Sequence, residues 1–306
     1  MDDARLGDLA DRVRDGLSPH RSFSVINDEG RPDRSSVQEL CAMVLATLFP
    51  GYFSDALFLG RHVDTFMRHN LLRLRCLLRR QVANAMRFGH SAAGTEAPGD
   101  LQEQVDATID RCMDALPEVA ALVSSDVEAA FENDPAAASR EEILVSYPCL
   151  EAICIQRVAH RLYRCGIPLI PRMMTETAHS RTGIDIHPGA AIGPHFFIDH
   201  GTGVVVGETC EIGDHCVLYH GVTLGAFNPL ARNEEGELSR GQSNKRHPTL
   251  EDHVIVYPGA TILGGATTIG HHSVIGGNVW LTQSVEPEST ITTKDPELVI
   301  RQRRRG

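Results

Sequence analysis

Aromatic residues are scarce in this chain: they make up 5% of its 306 residues, with a single tryptophan. A core with so few rings must be mostly aliphatic, and the 42% hydrophobic content supplies enough material for a sizeable one. Positive charge is also short. Lys and Arg number 29 against 40 Asp and Glu, a net charge of -11, which argues against general nucleic-acid binding. The one basic cluster is the C-terminal RQRRRG, read as a solvated tail. No run of 18 apolar residues occurs, so no membrane span is expected, and the charged N-terminal MDDARLGDLADRVRDG lacks an apolar signal core. The eight cysteines, at 41, 76, 112, 149, 154, 165, 210 and 216, form no Cys-x-x-Cys pair. Without a disulfide framework, reduced thiols are the default. What these absences leave is a cytoplasmic enzyme or binding protein, on a chain long enough for two modest domains.

The two parts of the chain have different periods. Residues 1–35 are polar and contain Gly, Pro and Asp, which reads as a flexible lead-in. From Ser36 the period is helical: Ser36-Val37-Gln38-Glu39 has the form of a capping box, and apolar residues follow at 37, 40, 41, 44, 45 and 48. A second helical run covers about 55–89 and is broken by HSAAGTEAPG. Further helices are expected from Asp100, after Pro117 and from Ser139, the last pattern running to about 178. Residues 36–180 are therefore predicted to be a helical domain.

After Arg181 a six-residue comb takes over. Ile186, Ile192, Ile198, Val204, Cys210, Cys216 and Val222 fall at steps of six, with Val206, Ile212, Leu218 and Leu224 two positions later. Beyond residue 248 it resumes with Leu263, Ile269, Ile275 and Leu281, preceded two residues earlier by Thr261, Thr267, Ser273 and Val279. A step of six with one large inward aliphatic is the hexapeptide repeat of a parallel β-helix, in which each repeat makes one short strand and one turn, and three strands close a coil of about 18 residues. The fold class expected is thus α + β: a helical domain followed by a left-handed parallel β-helix over 181–293, with 294–306 as a basic tail. Two features break the comb. Its phase slips by two between Ile198 and Val206, where Asp199-His200 sits, and residues 226–245 leave it altogether as a protruding polar loop.

The residues that depart from the comb carry the chemistry: Asp185, Asp199, His200, Glu208, His220, Arg246 and His247. Asp185 and His200 are 15 residues apart, close to one coil, so both can reach one corner of the prism. A carboxylate beside an imidazole fixes its tautomer and stabilises the imidazolium, as a general base requires. His247 lies 47 residues beyond His200. Without the loop this is about one and a half coils, which turns the two histidines to different edges of one prism. They can face each other across neighbouring prisms, which predicts a trimer with sites between subunits. Arg246 offers a planar donor for a carboxylate. A competing reading starts from HFFIDH and HCVLYH, two H-x4-H spacings (His195/His200 and His215/His220) like those that would serve a zinc site of the γ-class carbonic anhydrase kind, also built on hexapeptide β-helices. It leaves Asp185, Arg246 and the helical part without a role.

The motifs DIHPGAAIG, IDHGTGVVVGET, GVTLG, KRHPTLEDHVIVYPGATILGG and IGGNVWL, in this order, resemble serine O-acetyltransferase over roughly residues 120–295, with ENDPAA placing Asp134 51 residues before Asp185 as in that family. The resemblance implies that His200 takes the proton from the hydroxyl of L-serine, Asp185 orients His200, Asp134 and Asp199 hold the serine ammonium, and Arg246 with His247 receives its carboxylate. Acetyl-CoA would run past Gly225-Ala226 and the Tyr257-Pro258-Gly259 turn, and no metal is implied. An acetyltransferase for another acceptor is the alternative. The resemblance further implies a homotrimer or dimer of trimers and feedback by cysteine. The chain departs from the pattern at Ala226, where better-known members carry glycine, in a longer loop before Arg246, and in ending RRRG rather than in isoleucine. No tail-mediated complex with O-acetylserine sulfhydrylase is therefore expected. Glu208 matches a motif position and is left without a role.

Overall fold

A computed structural model of the chain describes residues 3–17, 31–53, 63–92, 94–228 and 244–294. Most of the 226–245 loop and of the basic tail lies outside the described residues.

The first part is helical. Its elements are α1 (Asp3–Leu17), α2 (Arg34–Leu48), α3 (Val63–Ala92), α4 (Leu101–Asp114), α5 (Leu116–Asn133), α6 (Arg140–Ser146), α7 (Pro148–Arg164) and α8 (Ile170–Thr182). Within the lead-in, residues 3–17 form helix α1, exposed over residues 5–16, with Asp8 and Arg12 paired one turn apart, which charge composition alone does not reveal. Helix α2 starts before the Ser36 capping box. Asp33 is the N-cap, its Oδ1 accepting from the Ser36 N–H at 2.7 Å. The pattern read as one run from Ser139 to 178 is three helices. Ser139 caps α6, accepting from the Glu142 N–H at 3.2 Å, Pro148 opens α7, and α8 opens at Ile170 with Pro171 in its first turn.

The second part is a prism of three parallel sheets. Face A stacks β1 (Asp185–Ile186), β4 (Val205–Val206), β7 (Thr223–Gly225), β10 (Thr261–Leu263) and β13 (Trp280–Leu281). Face B stacks β2 (Ala191–Ile192), β5 (Glu211–Ile212), β8 (Thr249–Leu250) and β11 (Thr268–Ile269). Face C stacks β3 (Phe197–Asp199), β6 (Val217–Tyr219), β9 (Ile255–Val256), β12 (Val274–Ile275) and β14 (Thr290–Ile291). Both sets of the comb point inward. Ile186, Val206 and Leu224 fill the prism from face A and Ile198, Leu218, Val256 and Ile275 from face C, while Val204, Cys210, Cys216 and Val222 fill its corners, all 2% exposed or less. Each such aliphatic contributes about 1.5–3 kcal/mol on burial. The comb misplaces one rung: Ile262, not Leu263, is inward, paired with Leu224, and Ala260 rather than Thr261 fills the corner before it. One extra residue in the following turn restores the phase. Six of the eight cysteines are buried, Cys165 is half-buried and Cys76 is exposed, and all eight are free.

The two-residue slip has a local cause. Asp185 pairs with Val205, 20 residues on, whereas Val205 pairs with Thr223, 18 on. The surplus lies at the C/A corner, where residues 200–204 join β3 to β4 but only residues 220–222 join β6 to β7. Gly203, Gly221, Gly259 and Asn278 stack there as the left-handed residues of successive coils, with φ of 82°, 71°, 71° and 57°. His200 and Gly201, at φ 59° and 79°, form the inserted bulge.

A buried ion pair fixes the helices to this prism. Asp126 of α5 and Arg157 of α7, 0% and 3% exposed, meet at 2.6 Å through both carboxylate oxygens. Arg157 also donates to the carbonyls of Ile192 and Gly193, and Asp126 accepts from the Phe196 N–H at 3.0 Å. Asp126→Asn leaves the guanidinium buried without its counter-charge and is expected to cost about 3–5 kcal/mol in chemical denaturation. A loss under about 1 kcal/mol would show that the pair does not hold the two parts together.

Candidate active site

The predicted site residues lie at two different corners of the prism. At the C/A corner the bulge lifts His200 out of the ladder, leaving its side chain 73% exposed. Its Nδ1 is 3.6 Å from Oδ1 of Asp199, the last residue of β3. The His220 ring lies one coil on, 5.8 Å away. Helix α5 ends beside this corner, and Asp134 is its C-cap. The Asp134 carboxylate accepts from the Ala136 N–H at 2.8 Å and from the Tyr147 hydroxyl. Tyr219 sits among these groups, stacked on Tyr257 at 5.0 Å. Its hydroxyl is pushed above the usual tyrosine range by burial first, then by Tyr257, Asp199 and Asp134. Asp199 thus stands beside the exposed His200 imidazole, and Asp134 acts on the same corner through Tyr219.

Asp185 stands differently from the role the resemblance implies. Its carboxylate lies 3.8 Å from Arg172 of α8, and among the described residues only Asp199 brings a carboxylate within 4 Å of a His200 ring nitrogen. Asp185 also belongs to the one group of three described residues with donors close enough for a metal, Glu176, His179 and Asp185. Arg172 pairs with both of its carboxylates. The H-x4-H spacings do not converge. His195 and His215 stack at the B/C corner, 4.3 Å apart, while His200 and His220 lie at the C/A corner, because residues five apart on a six-residue rung occupy successive corners.

Arg246 and His247 occupy the A/B corner. The Thr209 hydroxyl oxygen accepts from both of their backbone N–H groups, at 2.9 and 3.0 Å. Nδ1 of His247 accepts from the Thr209 N–H at 3.1 Å and faces the Thr209 hydroxyl at 2.9 Å. With Nδ1 an acceptor, the neutral ring carries its proton on Nε2. Burial first, and then the neighbouring Arg246, lowers the His247 pKa to about 4, so the ring is neutral at physiological pH and presents an N–H donor. Gly207 makes room for it: a Cβ there would lie 2.0 Å from the imidazole Cδ2.

Glu208, unassigned from sequence, bridges this corner to the helices. Its carboxylate accepts from the Tyr163 hydroxyl of α7 at 2.6 Å and from Nη2 of Arg246. Burial, the largest single influence, would raise its pKa, but these two hydrogen bonds together with the charges of His187 and Arg246 hold it lowered. Tyr163 and Thr209 were not found from sequence, since neither stands in a recognisable spacing to Arg246. The predicted donor-site residues divide in the same way. Gly225 and Ala226 follow face A into the A/B corner, while Tyr257, Pro258 and Gly259 form the C/A corner. The chain thus carries Asp199 and His200 at one corner and Arg246, paired with Glu208, and His247 at another.

A prism of six-residue rungs with a histidine lifted from the ladder at a bulged corner defines a hexapeptide-repeat acyltransferase. The comparisons narrow the class. The chain is 46% identical over 263 residues to a plasmid serine acetyltransferase of Synechococcus elongatus, covering 85% of this chain and 81% of that one. It is 39% identical over 179 residues to serine acetyltransferase of Bacillus subtilis, covering 58% of this chain and 76% of the relative. Its fold superposes on serine acetyltransferase 1 of Entamoeba histolytica in complex with L-cysteine with a TM-score of 0.71 and 34% identity, covering 84% and 86% of the two chains. No sequence-family profile matches the chain. The chain belongs to the serine acetyltransferase family.

Proposed function

We infer that this chain is a serine O-acetyltransferase that moves the acetyl group of acetyl-CoA to the hydroxyl of L-serine at sites built between neighbouring prisms. The observation that supports the reading is the division of charge: Asp199 stands beside His200 at one corner, with Asp134 near the same corner's Tyr219, and Arg246 with the neutral donor His247 stands at another. A zwitterionic substrate needs both halves, one for its ammonium and one for its carboxylate. A ring of three prisms, C/A corner facing A/B corner, supplies both at each interface.

In such a site His200 accepts the proton of the serine hydroxyl as its oxygen attacks the thioester carbonyl. The tetrahedral adduct collapses, the C–S bond breaks, and the imidazolium returns the proton to the CoA sulfur. O-Acetylserine, the product, feeds cysteine formation. Acetyl-CoA fits the groove between Gly225-Ala226 of one prism and Tyr257-Pro258-Gly259 of the next. L-Cysteine, which differs from serine in one atom, competes for the same contacts, a reading favoured by its presence in the Entamoeba relative. Among the described residues no helix is long and apolar enough to cross a membrane.

The direct test is thiol release from acetyl-CoA. Release is expected to require L-serine and to be suppressed by L-cysteine. Turnover with an amine or sugar but not with serine would overturn the substrate reading, since such acceptors lack the carboxylate that Arg246 would bind.

A further inference from the structure

We infer that Thr209 is a positioning residue for serine binding, its hydroxyl fixing both the imidazole of His247 and the backbone that carries it. The inference rests on reading His247 as a contact of the serine carboxylate. A threonine hydroxyl has two lone pairs and one proton, and here all three go to one dipeptide. The oxygen accepts from the N–H groups of Arg246 and His247, at 2.9 and 3.0 Å. With both lone pairs engaged, the hydroxyl proton is what faces Nδ1 of the His247 ring at 2.9 Å. Nδ1 also accepts the Thr209 N–H at 3.1 Å, so two donors from one residue meet it.

The arrangement matters because the dipeptide lies outside the sheets. Arg246 and His247 precede β8, which opens at Thr249, so no strand ladder fixes their N–H groups. The Thr209 oxygen takes the place of a rung for both. The same residue decides which end of the imidazole can donate. A proton on Nδ1 would meet two hydrogens of Thr209, so the ring keeps its proton on Nε2. That end lies over Gly207, where a Cβ would come within 2.2 Å of Nε2, so the ring holds this place only beside a residue without a side chain. Thr209 itself reaches no reacting atom. Loss of its hydroxyl acts on where His247 stands, while the base, His200, lies at another corner.

The test is steady-state kinetics of Thr209→Val and Thr209→Ser in the full-length enzyme, with melting temperature measured alongside. Valine keeps the branched shape and removes the hydroxyl; serine keeps the hydroxyl and removes the methyl. In Thr209→Val the N–H groups of Arg246 and His247 lose their acceptor, and KM for L-serine should rise about ten-fold or more, the scale of one buried donor left unsatisfied. The kcat and KM for acetyl-CoA should each change less than about three-fold, because neither depends on where His247 donates. Thr209→Ser should stay within about two-fold of wild type in serine KM, since every hydrogen bond of the hydroxyl survives. Unchanged serine KM in Thr209→Val overturns the inference. So does an equal rise in both variants, which would assign the effect to the methyl. A parallel loss in kcat, both KM values and melting temperature also overturns it, marking a merely structural threonine. His247→Asn separates the two levels, since the shorter amide matches the ring at Nδ1 but does not reach Nε2. If it raises serine KM while Thr209→Val does not, only the role of Thr209 falls; if it leaves serine KM unchanged, the reading of His247 falls and this inference with it.

Discussion

His200→Ala is expected to lower kcat about 10²–10⁴-fold, the range a positioned general base supplies, while leaving the melting temperature unchanged. The second half follows from exposure. The side chain is 73% exposed and stands in a two-residue bulge outside the stacked ladder, so its loss removes no core contact. The first half follows from what surrounds it. On the proposed reading Asp134 and Asp199 hold the serine ammonium, which sets its hydroxyl beside His200, the imidazole carried by the bulge at this corner. His247→Asn serves as the control for the other histidine. With its pKa lowered to about 4, His247 stays neutral from about pH 6 upward, so His247→Asn should weaken serine binding but keep the shape of the pH–rate profile above that pH. A His200→Ala enzyme within ten-fold of wild type in kcat would show that the base lies elsewhere. The carboxylate that orients His200 is a separate matter: the resemblance points to Asp185, whereas within one chain Asp199 is the nearer, at 3.6 Å, and Asp185 faces Arg172.

The fold was legible because a β-helix repeats one local rule. Each rung needs an inward aliphatic and a compact corner, so the rule recurs every six residues and its violations stand out. The slip at Ile198–Val206 was visible for that reason and turned out to be the bulge carrying His200. The single-residue shift to Ile262 was not, since Ile262 and Leu263 are both aliphatic and only the pairing with Leu224 separates them. The relatives favour the acetyltransferase reading over the zinc alternative, and within one chain a spacing of five leads to the next corner rather than to a shared one. The helical part was less legible. Its period gives faces but not starts: Asp33, which caps α2, precedes the motif that was read as the cap. What sequence could not reach were the contacts between the two parts. Tyr163 meets Glu208 across 45 residues and Arg157 meets the Gly193 carbonyl across 36, and no periodicity in either part encodes how a helix lies against a prism.

A mixture of two inactive variants should regain activity. His200→Ala removes the base from the C/A corner and leaves the A/B corner whole; Arg246→Ala does the reverse. Truncating one partner of a hydrogen-bonded charge pair at an interface costs about 2–5 kcal/mol, so at low serine the second variant, like the first, should run near background. In a ring of three, each interface is heterologous and joins one corner of each kind. In randomly assembled trimers from an equal mixture, about one site in four then draws its histidine from an Arg246→Ala subunit and its arginine from a His200→Ala subunit. Co-expressed with different tags and purified through both, the hybrids should show roughly a quarter or more of the wild-type rate per site, while trimers mixed after assembly should show none. The alternative geometry makes the opposite forecast. If one chain folded both corners into a single site, every subunit of every hybrid would carry one lesion, and co-expression would return only background. Restored activity would therefore show that His200 and Arg246 act on one substrate from two chains, as the proposed ring of prisms has it, the two residues standing at different corners of one prism.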